Sequence, residues 1–366
     1  MTTETYRGVM LDDKREDLTR YSQGLSDRGP VKFRGILYEG QGGAIEDLER
    51  DKPDLILVDY SLAEGATLAA GMPCFGSTLA ALLREKLPEC PIVLITRGSI
   101  FNTSDFAKAF DVQGTFDDTV LKEELGERPE FHEQSFVELI RGFRALQEQD
   151  PGDWSALCAI LGATEEESDL LIQSQPPRQH GASGGWRVTE AARWIRKTVL
   201  EYPGILYPPL YAASMLGISE VSFLEPTIQE HFSSAKYVGP FQPVEGRWWK
   251  DRLMVLAYDV FHAAGVSTAC LHEFARAWKK HRGADLQLST GVSSEKQPAE
   301  CVCHVLGKPV RRECSLPYWP DNRPAVMDEA RVSFKAIRES NDFHEEYVAP
   351  DARGLVKEIQ DTAAGR

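Results

Sequence analysis

Residues 53–65 read PDLILVDYSLAEG. Four consecutive apolar residues, Leu55 to Val58, run straight into Asp59, with Pro53 ahead and a Gly-containing polar stretch behind. A short apolar run between breakers predicts a strand buried on both faces, as in a parallel sheet. In open α/β sheets, ligands bind beyond the carboxyl ends of strands, so Asp59 is placed where chemistry or ion binding takes place. A carboxylate at that point is equally suited to capping a following helix.

Two more runs end in the same way. Arg7–Leu11 (RGVML) stops at Asp12-Asp13, and Pro91–Ile95 (PIVLI) stops at Thr96. Val31–Tyr38 (VKFRGILY) has strand composition after a Gly-Pro break, while Asp13–Ser26, Ala44–Arg50, Thr78–Leu87 and Ser104–Phe110 read as helices. With strands ending in Asp-Asp, Asp and Thr, the chain from about Tyr6 to Gly126 resembles the receiver domains of two-component signalling. The resemblance implies an α/β fold, a doubly wound five-stranded parallel sheet of the flavodoxin-like receiver type. It makes Asp59 the phosphoacceptor candidate and Asp12, Asp13 and Asp59 an acid pocket for magnesium. Thr96 becomes the residue in contact with the phosphoryl group. The chemistry is sound without the family: three converging carboxylates repel unless a hard cation joins them, and magnesium prefers such oxygen ligands.

One part of the pattern departs. Receivers carry a lysine at the end of the fifth strand. The matching stretch is Gly114-Thr115-Phe116-Asp117-Asp118-Thr119, whose register puts Asp118 at that position, with Lys122 four residues on, in the following helix. An acid there adds repulsion where a cation is required. The expectation is therefore a pseudo-receiver, with magnesium binding but little response to phosphoryl donors. The loop Tyr60–Ser77 is long and punctuated by Gly65, Gly71, Pro73 and Gly76. It is either a flexible insertion or a segment that covers the Asp59 site or docks a partner.

The chain has 366 residues, enough for two or three domains, and its 42% hydrophobic and 27% charged content is that of a globular protein. No apolar run approaches the ~18 residues of a membrane span, and MTTETYRGVM lacks the features of a signal peptide, so a cytoplasmic location is expected. Seven cysteines do not suggest a disulfide framework. Net charge is −15, and residues 1–150 carry 17 Lys+Arg against 28 Asp+Glu. So acidic a half is a poor partner for nucleic acid.

The expected organisation is a receiver-like domain over 1–130, a connecting amphipathic helix over 131–150, a helical domain over 151–285, and a Cys-containing subdomain with the C-terminal tail over 286–366. Phe136, Leu139, Ile140, Phe143 and Leu146 share one helical face. Gln173–Gly185 (QSQPPRQHGASGG) reads as an exposed linker. Trp154–Ile172, Val188–Tyr202, Pro208–Ile218, Val221–Phe232 and Trp248–His262 read as helical segments, and the tryptophans among them as core.

Leu210–Phe223 (LYAASMLGISEVSF) has the outline of a helix-turn-helix, but no Lys or Arg occurs between Gly204 and Phe232, which favours an ordinary helical hairpin. Basic residues gather later: Arg276, Lys279, Lys280 and Arg282, then Lys308, Arg311 and Arg312. They suit a solvated face and a helix C-terminus, or an anionic partner. Between them lie Cys301, Cys303, His304 and Cys314. These are a zinc candidate by donor type, although the C-x-C spacing departs from the usual C-x-x-C knuckle, and reduced cysteines in a buried hairpin are the alternative. No P-loop, G-x-S-x-G or H-E-x-x-H motif is present. His262, Cys270 and His272 form no recognisable dyad.

The function expected from the sequence is a regulatory or adaptor protein in a bacterial signalling or defence assembly, acting through protein partners. Those partners are a kinase-like or ATPase-type sensor, or assembly subunits. The alternatives are a phosphorylation-switched regulator with a nucleic-acid-binding output, and an effector enzyme whose site is not legible in the sequence.

Overall fold

A computed structural model of the chain describes residues 4–38, 43–62, 76–97, 115–149, 153–176, 188–267, 270–292, 297–319, 327–340 and 343–364. The helix expected over Ser104–Phe110 and most of the loop Tyr60–Ser77 lie outside the described residues. The chain divides into two compact units. The first comprises Met1–Gly162, Pro177–Arg196 and Gly239–Val244. The second comprises Ala163–Pro176, Lys197–Val238 and Glu245–Arg366.

The first unit is built on β1 (Tyr6–Asp12), β2 (Val31–Leu37), β3 (Leu55–Asp59), β4 (Ile92–Thr96) and β5 (Asp118–Leu121). All pairings are parallel and the order is β2-β1-β3-β4-β5. That is the flavodoxin-like doubly wound order, with its switch point between β1 and β3. Every residue of β3 and β4 is buried, which explains their unbroken apolar sequences.

Alternation sorts the sheet's side chains between two layers. Val9, Leu11, Ile56, Val58, Ile92 and Leu94 pack with Leu48 of α2 (Gly43–Asp51) and with Leu79, Ala80 and Leu83 of α3 (Gly76–Lys86). On the other face lie α1 (Arg15–Arg28) and, after the short α4 (Lys122–Glu127), the long α5 (Pro129–Glu148). The α5 stripe Phe136, Leu139, Ile140, Phe143 and Leu146 is buried, and the ring of Phe136 meets Phe33 of β2 edge-on at 6.0 Å. The amphipathic helix foreseen as a connector thus packs within the first unit.

The segment Trp154–Ile172 is two helices: α6 (Trp154–Leu161) and α7 (Glu165–Gln173). Gly162 ends the first in the left-handed conformation (φ 69°), and Thr164 starts the second with a capping box to Glu167. Helix α8 (Val188–Trp194) runs into a π-helical turn, Ile195–Leu200, instead of continuing as α-helix to Tyr202.

The second unit has a helical core. It draws on α9 (Pro209–Met215), α10 (Glu220–Phe223), α11 (Pro226–His231), α12 (Lys250–Ala263) and α13 (Phe274–Arg282), with β6 (Leu206–Tyr207) pairing β7 (Trp248–Trp249). Phe223, Phe232, Trp248 and Phe274 fill its centre. At the turn between α9 and α10, Gly217 has φ 68°, and a Cβ there would strike the backbone of His272. The same unit holds a four-stranded mixed sheet, β10-β11-β8-β9, made of Ser315–Tyr318, Ala330–Ser333, Cys301–Cys303 and Lys308–Val310. Pro317 sits on the edge strand β10, where a missing N–H costs the ladder nothing. Among the described residues no helix is long and apolar enough to cross a membrane.

A candidate phosphoacceptor site at the carboxyl edge of the sheet

Parallel pairing delivers all strand ends to one edge. Leu11 is in register with Val58, so Asp12 and Asp59, the last residues of β1 and β3, emerge side by side at the switch point. Asp59 is in register with Ile95, which puts Thr96 one residue further along the same edge. Asp12, Asp13 and Asp59 each offer an oxygen, and the three lie within 4.8 Å of one another. The Asp12 side chain accepts a hydrogen bond from Lys14 N–H at 2.9 Å. One oxygen of Asp13 is buried without a hydrogen-bond partner.

The fifth strand corrects the sequence register. Asp118 is not at the carboxyl edge. It begins β5 opposite Val93, and its carboxylate accepts from Arg196 at 2.6 Å. The strand ends with Leu121 opposite Thr96, and the next residue is Lys122. The Lys122 ammonium lies 2.8 Å from Asp12, 3.0 Å from Asp17 and 3.1 Å from Asp59, with 4% of its side chain exposed. Four residues of extended chain carry the backbone across the sheet, so an error of four in register exchanges an acid at one edge for a lysine at the other. The usable signal was Val120-Leu121-Lys122, which repeats the pattern of Val58-Asp59 and Ile95-Thr96: an apolar pair or residue followed directly by a functional one.

Burial and charge act against each other here. Desolvation pushes the Asp59 carboxyl above its ordinary range; Lys122 offsets this only in part, and the neighbouring Asp12 adds to the rise. Asp12 is raised for the same first reason, against the hydrogen bond and charge of Lys122. Burial alone would raise Asp17 too, but Lys122 and Arg97 outweigh it and hold that group low. Burial would lower Lys122, yet the surrounding carboxylates raise it. Three carboxylates thus share one buried ammonium, Asp13 lies beside Asp12 and Asp59, and the exposed Arg97 is 3.4 Å from Asp17. The deficit of positive charge, the hard oxygen donors and the orphaned Asp13 oxygen fit a small divalent cation such as magnesium, held by Asp12, Asp13 and Asp59.

Gly76 completes the wall of the site. Its N–H donates to the Tyr60 carbonyl at 2.9 Å, and a Cβ at Gly76 would overlap the carbonyl oxygen of Asp59. The sequence did not single out Asp17, Arg97 or Gly76 for this place. None carries a local signature, and each is brought in by the packing of a helix or a strand end.

The C-terminal candidates are arranged differently. Cys303 is fully buried in the second unit's sheet core and its sulfur accepts from Ser333 N–H at 3.2 Å. Cys301 and Cys314 pack against the same core, while His304 stacks on Tyr318 with ring centres 5.3 Å apart. Among the described residues the acid trio is the converging group of metal-ligating side chains, and Cys301, Cys303, His304 and Cys314 are not gathered into such a group. The basic residues of α13 are partnered locally. Arg276 pairs with Glu273 at 2.5 Å, Lys279 with Asp285 at 2.7 Å, Lys280 donates to the Gly265 carbonyl at 3.3 Å, and Arg282 lies over the Trp278 ring.

No protein-family model matches the chain, and no curated protein matches it. Solved structures do. The signal receiver domain of NarL from Mycobacterium tuberculosis is 23% identical, covering 38% of this chain and 98% of that one, with a TM-score of 0.29. A CheY-like response regulator receiver domain protein from Methanospirillum hungatei JF-1 is 17% identical, covering 37% and 98%, with a TM-score of 0.28. A response regulator receiver protein from Sinorhizobium medicae WSM419 is 17% identical, covering 38% and 99%, with a TM-score of 0.27. The fold itself is fixed by the strand order and register described above.

Proposed function

We propose that the first unit is a phosphoacceptor receiver and that the protein is a response-regulator-like signalling component. The observation that carries this is Lys122, whose ammonium reaches Asp59 at 3.1 Å and Asp12 at 2.8 Å beside the acid trio. The pseudo-receiver expectation rested on Asp118, which lies at the start of β5 and is partnered by Arg196.

In the proposed reaction an Asp59 oxygen attacks the phosphorus of a phosphoryl donor. The P–O bond to the leaving group breaks, the leaving group keeps the bonding pair, and an acyl phosphate forms on Asp59. Magnesium on Asp12, Asp13 and Asp59 supplies charge neutralisation of the phosphoryl oxygens. Lys122 is placed to pair with the transferred group, and the Thr96 hydroxyl to hydrogen-bond it. Burial raises the Asp59 carboxyl in this pocket, and a cation bound beside it would favour the ionised form that acts as nucleophile.

The partners that fit are a sensor that donates phosphoryl groups, of kinase or ATPase type, and the assembly subunits that read the switch. A nucleic-acid output through residues 275–312 is the second reading, weakened where Arg276 and Lys279 pair with Glu273 and Asp285. The test is incubation with acetyl phosphate and magnesium. Phosphate incorporation that is labile to hydroxylamine and absent in Asp59→Asn supports the role; absence of incorporation with native folding refutes it.

A further inference from the structure

Lys122 has three carboxylate partners, and one of them does not belong to the strand ends. Asp17 lies in the first turn of α1, 3.0 Å from the ammonium, as close as Asp12 and Asp59 within a few tenths of an ångström. Its side chain is 13% exposed and meets one other cation, Arg97, the residue after Thr96, at 3.4 Å. The ammonium donates hydrogen bonds to Asp12 and Asp17 and holds Asp59 at ion-pair distance, so its charge is shared among three carboxylates.

From this geometry we infer that Asp17 is a positioning residue that competes with an occupied Asp59 for Lys122 and takes a share of the ammonium that Asp12 and Asp59 would otherwise hold. The inference rests on the phosphoacceptor role proposed above. When Asp59 gains a phosphoryl group, the ammonium loosens its hold on one carboxylate to serve the new oxyanion. Asp17 is the partner that can be given up, because Arg97 remains to pair with it, while Asp12 and Asp59 face the cation. Without Asp17 the ammonium falls back on the oxygens that magnesium needs, and competes with it. Asp17 therefore favours the cation and opposes the phosphorylated state, and Arg97 eases the exchange.

The test is a double-mutant cycle between Asp17→Asn and Lys122→Ala in the full-length chain, with melting temperatures recorded to establish folding. Two affinities are read: magnesium alone, and beryllofluoride at saturating magnesium as a phosphoryl mimic. In the Lys122 background, Asp17→Asn is expected to weaken magnesium about threefold and tighten beryllofluoride about threefold. Both effects should vanish in the Lys122→Ala background. Arg97→Gln should act in the opposite sense on beryllofluoride, weakening it. Equal effects of Asp17→Asn in both backgrounds, or none in either, overturn the inference, since Asp17 would then act as a plain charge or not at all. If the unsubstituted protein takes up no beryllofluoride, the phosphoacceptor role fails, and the magnesium cycle alone decides the role of Asp17.

Discussion

Lys122 places its ammonium 3.1 Å from the Asp59 carboxylate, with 4% of the lysine side chain exposed. A buried cation at hydrogen-bond distance from a buried acid is costly unless both are satisfied, and here the ammonium serves Asp12 and Asp17 as well. The pairing turns a cluster of mutually repelling acids into a pocket that can hold charge, and the proposals above follow from it.

Asp13 is the least satisfied of the trio, with one buried oxygen lacking a hydrogen-bond partner. Replacing it relieves both desolvation and repulsion, so Asp13→Ala should stabilise the metal-free protein by about 1 kcal/mol. The same change should abolish magnesium stabilisation. For a site with Kd about 1 mM, about 10 mM magnesium adds about 1.4 kcal/mol to the unsubstituted protein. Denaturant melts with and without magnesium check both halves. A destabilised variant that still responds to magnesium would contradict them.

The raised Asp59 carboxyl predicts a pH dependence. A folded-state value above the unfolded one means the folded protein binds the extra proton, so this group's contribution to stability is greatest at low pH. It declines as the pH rises from about 4 through the folded value and is then constant. Asp59→Asn lacks the term. In metal-free buffer the stability advantage of Asp59→Asn over the unsubstituted protein should therefore grow with pH above about 4 and then level off. An advantage that shrinks with rising pH would contradict the assignment.

Gly76 has no room for a side chain against the Asp59 carbonyl. Gly76→Ala must displace either α3 or the end of β3, at about 2 kcal/mol or more. Uptake of beryllofluoride should fall with it, whereas Gly24→Ala, at a position with open space around it, should leave uptake unchanged.

How much of this was legible in the sequence depends on how each residue is held. Asp12, Asp59 and Thr96 were readable because each ends an apolar run, and a parallel sheet brings such ends to one edge. Lys122 was passed over in favour of Asp118 because β5 is short and only one of its residues, Val120, is buried, so the run that should have fixed its register is weak. Asp17 sits on a helix face, where no periodic pattern separates an acid turned to the site from one turned to water. For the cysteines the donor type was visible but the direction of each side chain was not, since His304 lies beyond the end of β8.

For the second unit, packing rather than metal is expected to hold the Cys-containing sheet. Cys303→Ser should cost about 1–2 kcal/mol, since it buries a hydroxyl in an apolar cluster. Cys314→Ser, half-buried, should cost less than about 0.5 kcal/mol. A strong chelator should leave the melting curve of this unit unchanged. Loss of structure on chelation would restore the case for a zinc site.

The most direct measurement of the central claim is chemical trapping of the acceptor. The full-length protein is treated with acetyl phosphate and magnesium, then reduced with borohydride, which converts an acyl phosphate to the corresponding alcohol. Peptide mass spectrometry then reads which residue was converted. Homoserine at position 59, absent when magnesium or the donor is left out and diminished in Lys122→Ala, is the predicted result. Unaltered Asp59 in folded, magnesium-loaded protein, or conversion at Asp12 or Asp13 instead, would contradict it.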